Sequence, residues 1–215
     1  MTAEPPHLPR YRVVLALDIE GSTARTNPAK AELRRVMYEL LEEALRAGGI
    51  TEAHHDALVD RGDGVLVLIR PVDEVPKTAL LNPVIPTLSK LLAAHDALHP
   101  DHRFRLRAVV HAGEVHHDGH GNFGEALDVA FRLLDAPAVK AALEQTDAPV
   151  ALVVSDDIYR CVVKHGYEGI DLRSFDPLVT LQLAGIQHRG WVHIPDQNGP
   201  ERAQCNEYAS KVSFR

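Results

Sequence analysis

Residues 12–23 read RVVLALDIEGST. The segment RVVLALD is almost entirely apolar and ends in Asp18, which is typical of a strand buried on both faces. A glycine-bearing turn follows, and then Asn27-Pro28 supplies a helix N-cap and a proline at the first helical position. An apolar stripe with spacings of three and one runs from Leu33 to Leu45, and Gly48-Gly49 ends it. The chain therefore begins with a strand, a short loop and a helix.

The rest of the chain continues this alternation of strands and helices. Two β-rich runs flank Arg61-Gly62-Asp63-Gly64, which is typical of a hairpin. We further predict a helix over 84–99 with Pro86 in its first turn, and a strand over 104–112 on which residues 115–117 pair back. A helix should run from 126 to 134 and either continue to 144 or break at Pro137. After it we expect a strand over 150–154, a helix capped by Ser155-Asp156, and two strands within 179–194. The order β-α-β-β-α-β, with α and β additions after it, predicts an α+β fold with a ferredoxin-like sheet.

Length and charge limit what the chain can be. Its 215 residues predict an irregular segment over 1–10 and a single domain over 11–215. Lys and Arg number 23 against 30 Asp and Glu, for a net charge of −7, which argues against nucleic-acid binding. We expect no membrane span, because no apolar run approaches about 18 residues. Two unspaced cysteines and no signal peptide favour a cytoplasmic protein.

Two acids lie where a divalent ion could bind. Asp18 ends the first strand and Asp63 lies in the hairpin turn, and a split-βαβ sheet can bring these two places together. Two carboxylates there suit Mg²⁺ or Mn²⁺. Gly21, Ser22 and Thr23 precede a helix and offer N–H groups and hydroxyls to a phosphate. The alternative is that Asp18 caps a helix and Asp63 fills an Asx turn.

A third segment carries a resemblance to a known family. HAGEV (111–115) is followed by FGEALDVAFRLLDAP (123–137). With LDIEGST (17–23) and RGDGVLVLI (61–69), these blocks resemble, in order, the metal-binding strand end, the glycine–aspartate hairpin and the H-x-G-x-V strand with its Asn…Arg helix of the class III nucleotidyl cyclases. The resemblance covers residues 12 to about 137 and implies the catalytic domain of adenylate and guanylate cyclases.

The resemblance also implies roles for individual residues. Asp18 and Asp63, with the main-chain carbonyl of Ile19, would ligate two divalent ions, Mn²⁺ or Mg²⁺. The ribose 3′-oxygen of a nucleoside triphosphate would attack the α-phosphorus, releasing pyrophosphate and a 3′,5′-cyclic nucleotide. Arg132 matches the family's transition-state arginine. Its alternative reading is a helix-surface ion pair, for instance with Asp128.

Three positions depart from the family pattern. Asp128 replaces an asparagine, and an ionised aspartate only accepts hydrogen bonds. Val59 stands where the family has its purine-selecting lysine, and Gly121 where it has the partner polar residue. Neither can contact a purine through a polar side chain. The enzyme therefore selects another base, reads a purine with other residues, or has lost activity.

Among cyclase-like chains, this form most resembles the bacterial antiphage (Pycsar) pyrimidine cyclases. That resemblance implies a homodimer with shared active sites, in which Asp128 and Arg132 serve the partner's metal acids. It also implies UTP or CTP as substrate and a separate effector protein that responds to the cyclic nucleotide. A purine cyclase with unusual base contacts and an inactive nucleotide-binding module are the alternatives.

Two further expectations concern polar residues of the strand over 104–112. Arg103, Arg105 and Arg107 alternate along it, and we expect them to form a solvated or interface face. We expect His111 to be half-buried.

Overall fold

The computed structural model describes residues 8–195. The strands are β1 Arg10–Ile19, β2 Val59–Asp60, β3 Gly64–Ile69, β4 Leu106–His117, β5 Asn122–Phe123, β6 Val150–Ser155, β7 Phe175–Leu183 and β8 Ile186–His193. The helices are α1 Asn27–Ala47, α2 Lys77–Ala79, α3 Ile85–Leu98, α4 Glu125–Leu134, α5 Pro137–Glu144 and α6 Asp156–Cys161. A π-helical turn, Leu80–Val84, joins α2 to α3, and short 3₁₀ turns fill several connections.

The strands form one sheet in the order β2-β3-β1-β4-β6-β8-β7, with β5 paired to β4. Strand β1 is antiparallel to both β3 and β4, whereas β4 and β6 are parallel. The four strands β2, β3, β1 and β4 have the ferredoxin-like order, and β6, β8 and β7 extend the sheet beyond β4. The predicted α+β, ferredoxin-like architecture with C-terminal additions is confirmed.

The sheet has an apolar core on each face. Alternate residues of β1, Leu15 and Leu17 among them, pack with α1 and α3 on one face. Val14 and Ala16 pack with α4 and α5 on the other. Burial of β1 on both sides explains its almost continuous apolar sequence, and it fixes the end of β1 between two layers of helices.

Several element boundaries differ from the sequence prediction. Helix α1 begins at Asn27, so the extended residue Thr26, not Asn27, is its N-cap. Residues 115–117 do not pair back on the strand before them, because β4 runs straight through Gly113 to His117 and pairs there with β5. A Cβ at Gly113 would lie 2.8 Å from the Cβ of Ala126, so this glycine accommodates α4 and makes no turn.

Other boundaries agree or resolve an alternative. The helix from 126 breaks before Pro137, which opens α5. Ser155 caps α6 as predicted, its hydroxyl accepting a hydrogen bond from the N–H of Ile158. Arg10, the last residue of the segment expected to be irregular, already belongs to β1. Residues 1–7 of that segment, and residues 196–215 of the expected domain, lie outside the described residues.

Candidate active site

The end of β1 and the β2–β3 hairpin bring Asp18 and Asp63 to one place. Asp18 lies opposite Gly64 in the β1–β3 ladder, and the N–H of Ile19 donates to the carbonyl oxygen of Asp63 at 3.0 Å. Both aspartates line the same pocket of about 210 Å³. Residues 45 positions apart in sequence thus meet because antiparallel pairing places the end of one strand beside the turn that starts the other.

The hairpin turn is held in shape by its backbone. Gly62 has a φ of +78°, which a residue with a Cβ adopts only with strain. A Cβ at Gly64 would lie 2.4 Å from the carbonyl oxygen of Leu17, so only glycine lets β3 approach β1 this closely. Asp60 accepts a hydrogen bond from the N–H of Gly62 at 2.7 Å and is itself bonded to Arg34 of α1. These contacts fix the backbone that carries Asp63.

Asp18 lies in a charged, mostly buried setting. Its carboxylate accepts a hydrogen bond from Nη2 of Arg107 on β4, the residue paired with it across the β1–β4 ladder. Burial raises the pKa of Asp18 from 3.8 to about 6; Arg107 opposes this, and the negative charges of Asp63 and Asp135 add to it. The mutual repulsion of Asp18 and Asp63 is what a bound cation would relieve.

Asp63 is held by the turn after β1. The hydroxyl of Ser22 donates a hydrogen bond to Oδ2 of Asp63. Gly21 makes this possible with a left-handed conformation, φ +65° and ψ 19°. Because Ser22 uses its only hydroxyl hydrogen on Asp63, it positions that carboxylate, whereas Thr23 stays exposed.

A second depression of about 430 Å³ adjoins the first. Ser22, Thr23 and Asp63 line it, together with three cations, Arg25, Lys30 and Arg34. Asp63 lines both depressions. Asp60 also lines the second one and pairs with Arg34, so the excess positive charge there comes from Arg25 and Lys30.

The donor set fits a hard divalent ion. Within residues 8–195, no three or more His, Cys, Asp or Glu side chains are grouped so as to hold a metal by themselves. Two carboxylates and a carbonyl leave positions open, as Mg²⁺ sites do when the remaining ligands are water and substrate phosphates. Asp18, Asp63 and the carbonyl of Ile19 could therefore hold Mg²⁺ or Mn²⁺ that arrives with a triphosphate.

The helix residues assigned by the resemblance lie elsewhere on the surface. Asp128 and Arg132 are both exposed on α4, and neither lines the pockets described above. They form no ion pair with each other, although they are four residues apart on the helix, so the pair with Asp128 that was the example for the alternative reading of Arg132 does not form. Within one chain, the structure does not bring this pair to Asp18 and Asp63.

The two base-selecting positions also carry no polar side chain toward a ligand. Val59 is half-buried at the start of β2 and packs against the core shared with α4 and α5. Gly121 lies in the turn before β5, where a Cβ would have open space around it. A side chain could be accommodated at Gly121, and its absence is not enforced by packing.

The expectation of a solvated or interface face for Arg103, Arg105 and Arg107 is wrong for Arg107, which is buried in β4, whereas Arg103 is exposed and Arg105 is half-buried just before that strand. Arg107 is only 8% exposed, bonds to Asp18 and Asp135, and has a buried Nε without a hydrogen-bond partner in the described part of the chain. Arg105 is tied to Glu20 and to the carbonyls of Leu143 and Thr146. Alternation along the strand was the available signal, but the partners of Arg107 are distant in sequence, so the pattern alone did not reveal them.

His111 is buried, with 6% exposure, and not half-buried as expected. Its Nδ1 lies 2.8 Å from Oγ of Ser155, the cap of α6. Burial lowers the pKa of His111 from 6.5 to about 4. This residue therefore joins β4 to α6 as a neutral imidazole.

The proteins to which this chain is similar were found by comparing structures. No protein-family model matches the sequence, and no curated protein matches it. The solved adenylate/guanylate cyclase/hydrolase from Silicibacter pomeroyi is 22% identical, with a TM-score of 0.60 over 88% of this chain and 99% of that one. The guanylyl cyclase Cya2 is 12% identical, with a TM-score of 0.61 over 91% and 98% of the two chains.

A third structure is a dimeric guanylyl cyclase domain, that of the RhoGC fusion protein from the aquatic fungus Blastocladiella emersonii. It is 13% identical, with a TM-score of 0.56 over 87% of this chain and 97% of that one. Together these similarities show that the chain has the fold of the class III adenylate and guanylate cyclase catalytic domain.

Within residues 8–195, no helix is both long and apolar enough to cross a membrane.

Proposed function

We propose that this protein is a nucleotidyl cyclase, which converts a nucleoside triphosphate to a 3′,5′-cyclic nucleotide and pyrophosphate. The observation that carries the proposal is the convergence of Asp18 and Asp63 on one pocket at the end of β1, within a cyclase fold. The adjoining depression, which shares Asp63 and carries the hydroxyl of Thr23 and the cations Arg25 and Lys30, offers further positive charge to a triphosphate held at the carboxylates.

Asp18, Asp63 and the carbonyl of Ile19 are the groups that would hold two divalent ions, Mn²⁺ or Mg²⁺. When bound, such ions lower the pKa of the attacking hydroxyl and neutralise the triphosphate. Ser22 keeps the Asp63 carboxylate turned toward the pocket through its hydrogen bond. Arg107 compensates the buried charge of Asp18 through its hydrogen bond to that carboxylate.

In the reaction, the ribose 3′-hydroxyl gives its proton to solvent and its oxygen forms a bond to the α-phosphorus, while the bond from that phosphorus to the pyrophosphate oxygen breaks. The chain's contribution is to align the triphosphate for this in-line displacement. Arg132 supplies a fixed positive fork for the charge that develops on the phosphoryl oxygens, and Asp128 accepts a hydrogen bond from a ribose hydroxyl.

The active form that fits this assignment is a homodimer with shared sites. Asp128 and Arg132 are exposed on α4, and neither lines the pocket that holds the carboxylates of their own chain. A second copy of the chain would supply them, so that each site has its metal acids from one subunit and its helix residues from the other.

The base is proposed to be a pyrimidine, with UTP or CTP as substrate. Val59 is apolar and half-buried, and Gly121 has no side chain, so neither position recognises a purine through a polar group. With the resemblance to the Pycsar cyclases, this favours a signal generator in antiphage defence, whose cyclic nucleotide is read by a separate effector protein. A purine cyclase that reads ATP or GTP by other contacts is the second candidate.

The test is direct. The purified chain is incubated with each of the four nucleoside triphosphates and Mn²⁺, and pyrophosphate and cyclic product are measured. We expect product from UTP or CTP, and loss of product in Asp63→Asn. Product from ATP or GTP alone would support the purine candidate. Nucleotide binding without product would identify an inactive binding module and overturn the proposal.

A further inference from the structure

Arg61 is a cation at the pocket for which neither the family pattern nor the proposed reaction has a role. It lies in the hairpin turn two residues before Asp63, and its side chain lines the pocket with Asp18, Asp63, Arg107 and Asp135. Five charged side chains therefore surround about 210 Å³. A pocket of this composition suits a highly charged group better than a nucleobase, which needs apolar surfaces for stacking.

The two arginines of this pocket differ in their partners. Arg107 is bonded to both Asp18 and Asp135. Arg61 forms no ion pair with any described residue, although three carboxylates line the same pocket. Its guanidinium carbon instead lies 3.7 Å from the centroid of the Phe131 ring. A contact of this kind supports the guanidinium through its face and leaves N–H donors at its rim for another acceptor.

We propose that Arg61 binds the pyrophosphate portion of the nucleoside triphosphate, with Phe131 as the platform that holds its guanidinium in place. The inference rests on the proposed function and extends it to a residue outside the metal and base positions. A planar guanidinium matches two phosphate oxygens at once, and the carboxylates that would hold the metal ions keep the triphosphate within the same pocket.

This assignment gives α4 two roles. Phe131 faces the pocket of its own chain, while Asp128 and Arg132 face outward, toward the site of a second copy. Phe131 and Arg132 are adjacent in sequence, so one short helix would contribute to the leaving-group end of one site and to the reaction centre of the other.

The experiment measures binding, not turnover. Affinities for a 3′-deoxynucleoside triphosphate, for inorganic pyrophosphate and for a nucleoside 5′-monophosphate are determined by calorimetry with Mn²⁺, using the full chain. For Arg61→Gln we expect about a tenfold loss for the triphosphate and for pyrophosphate, the scale of one charge-assisted hydrogen bond, and no change for the monophosphate. For the same two ligands, Arg61→Lys should lose less affinity than Arg61→Gln, and Phe131→Leu should lose about threefold in affinity.

Arg35→Gln is the matched control, because Arg35 is exposed on α1 and pairs with Glu32 and Glu39. It should bind all three ligands like the unaltered protein. Unchanged pyrophosphate affinity in Arg61→Gln, or an equal loss for the monophosphate, would overturn the assignment of Arg61. If the unaltered protein binds the triphosphate and Arg61→Gln binds it with the same affinity, only this inference fails. If the unaltered protein binds neither triphosphate nor pyrophosphate, the proposed function fails with it.

Discussion

The buried imidazole of His111 makes the stability of the fold depend on pH in a defined direction. Its pKa is lowered to about 4, so the folded protein binds this proton less readily than the unfolded chain does. The contribution of His111 is therefore fully present above pH 6.5 and is lost as the pH falls toward 4. Asp18 has the opposite effect: its pKa is raised to about 6, so acid relieves the cost of burying its charge.

Because these two groups oppose each other, the test must isolate His111. The free energy of unfolding is measured in urea at pH 7 and pH 5 for the unaltered protein and for His111→Gln. We expect the advantage of His111 over glutamine to shrink by about 2 kcal/mol between the two pH values. An advantage that is equal at both would contradict the burial of a neutral imidazole.

Arg132 permits a prediction about rate. In the proposed reaction, replacing it with alanine removes one preorganised positive group at the phosphoryl oxygens, and kcat should then fall by about 10²- to 10³-fold. Since the side chain is exposed on α4, the thermal midpoint should stay unchanged. Steady-state kinetics with the preferred nucleotide measures kcat, and a thermal melt measures the midpoint of unfolding. A KM effect with kcat intact would instead assign Arg132 to ground-state binding.

At the scale of elements, the ladder between β1 and β3 has no room for a side chain at Gly64. Gly64→Ala would place a Cβ 2.4 Å from the backbone oxygen of Leu17, so the strands must separate beside Asp18 and Asp63. We expect a loss of about 1–3 kcal/mol in the free energy of unfolding. Gly121→Ala is the stability control, because its Cβ meets open space. Equal stability of the two variants would show that the ladder adjusts without cost.

Strands and helices that bury a regular pattern were predictable from sequence. The apolar run of β1, the Gly/Asp turn of the hairpin and the cap at Ser155 each depend on local chemistry, and each lies where the sequence placed it. The path of β4 past Gly113 was not predictable, because that glycine accommodates Ala126 of α4, a contact that forms only in the folded chain.

In the candidate site, too, some features follow from local sequence and others depend on contacts that form only in the folded chain. The positions of Asp18 and Asp63 at a strand end and a turn follow from sequence, and the ferredoxin-like strand order then brings them together. The burial of Arg107 was not predicted, because it depends on hydrogen bonds to Asp18 and Asp135, which lie 89 and 28 residues away in the sequence. Alternation on a strand indicates which face a residue occupies, but not which charge lies opposite.

At the scale of the whole molecule, the shared-site dimer is tested by complementation. Asp63→Ala and Arg132→Ala should each be inactive, since each removes one half of every site. When the two variants are mixed and exchange subunits, each heterodimer has one complete site of its two. About half of the dimers in an equal mixture are heterodimers, so about a quarter of the original activity should return. Size-exclusion chromatography of each variant confirms that both still associate. No recovery from two dimeric, well-folded variants would refute sites built from two chains.

If Asp128 and Arg132 complete the site of a second chain, as proposed, the rate of product formation depends steeply on the concentration of the protein. When every working site needs two chains, the number of sites at concentrations below the dimer dissociation constant rises with the square of the chain concentration, so doubling synthesis raises signal production about fourfold. A cell that makes the chain sparingly would then stay nearly silent, and a modest burst of expression would act as a threshold.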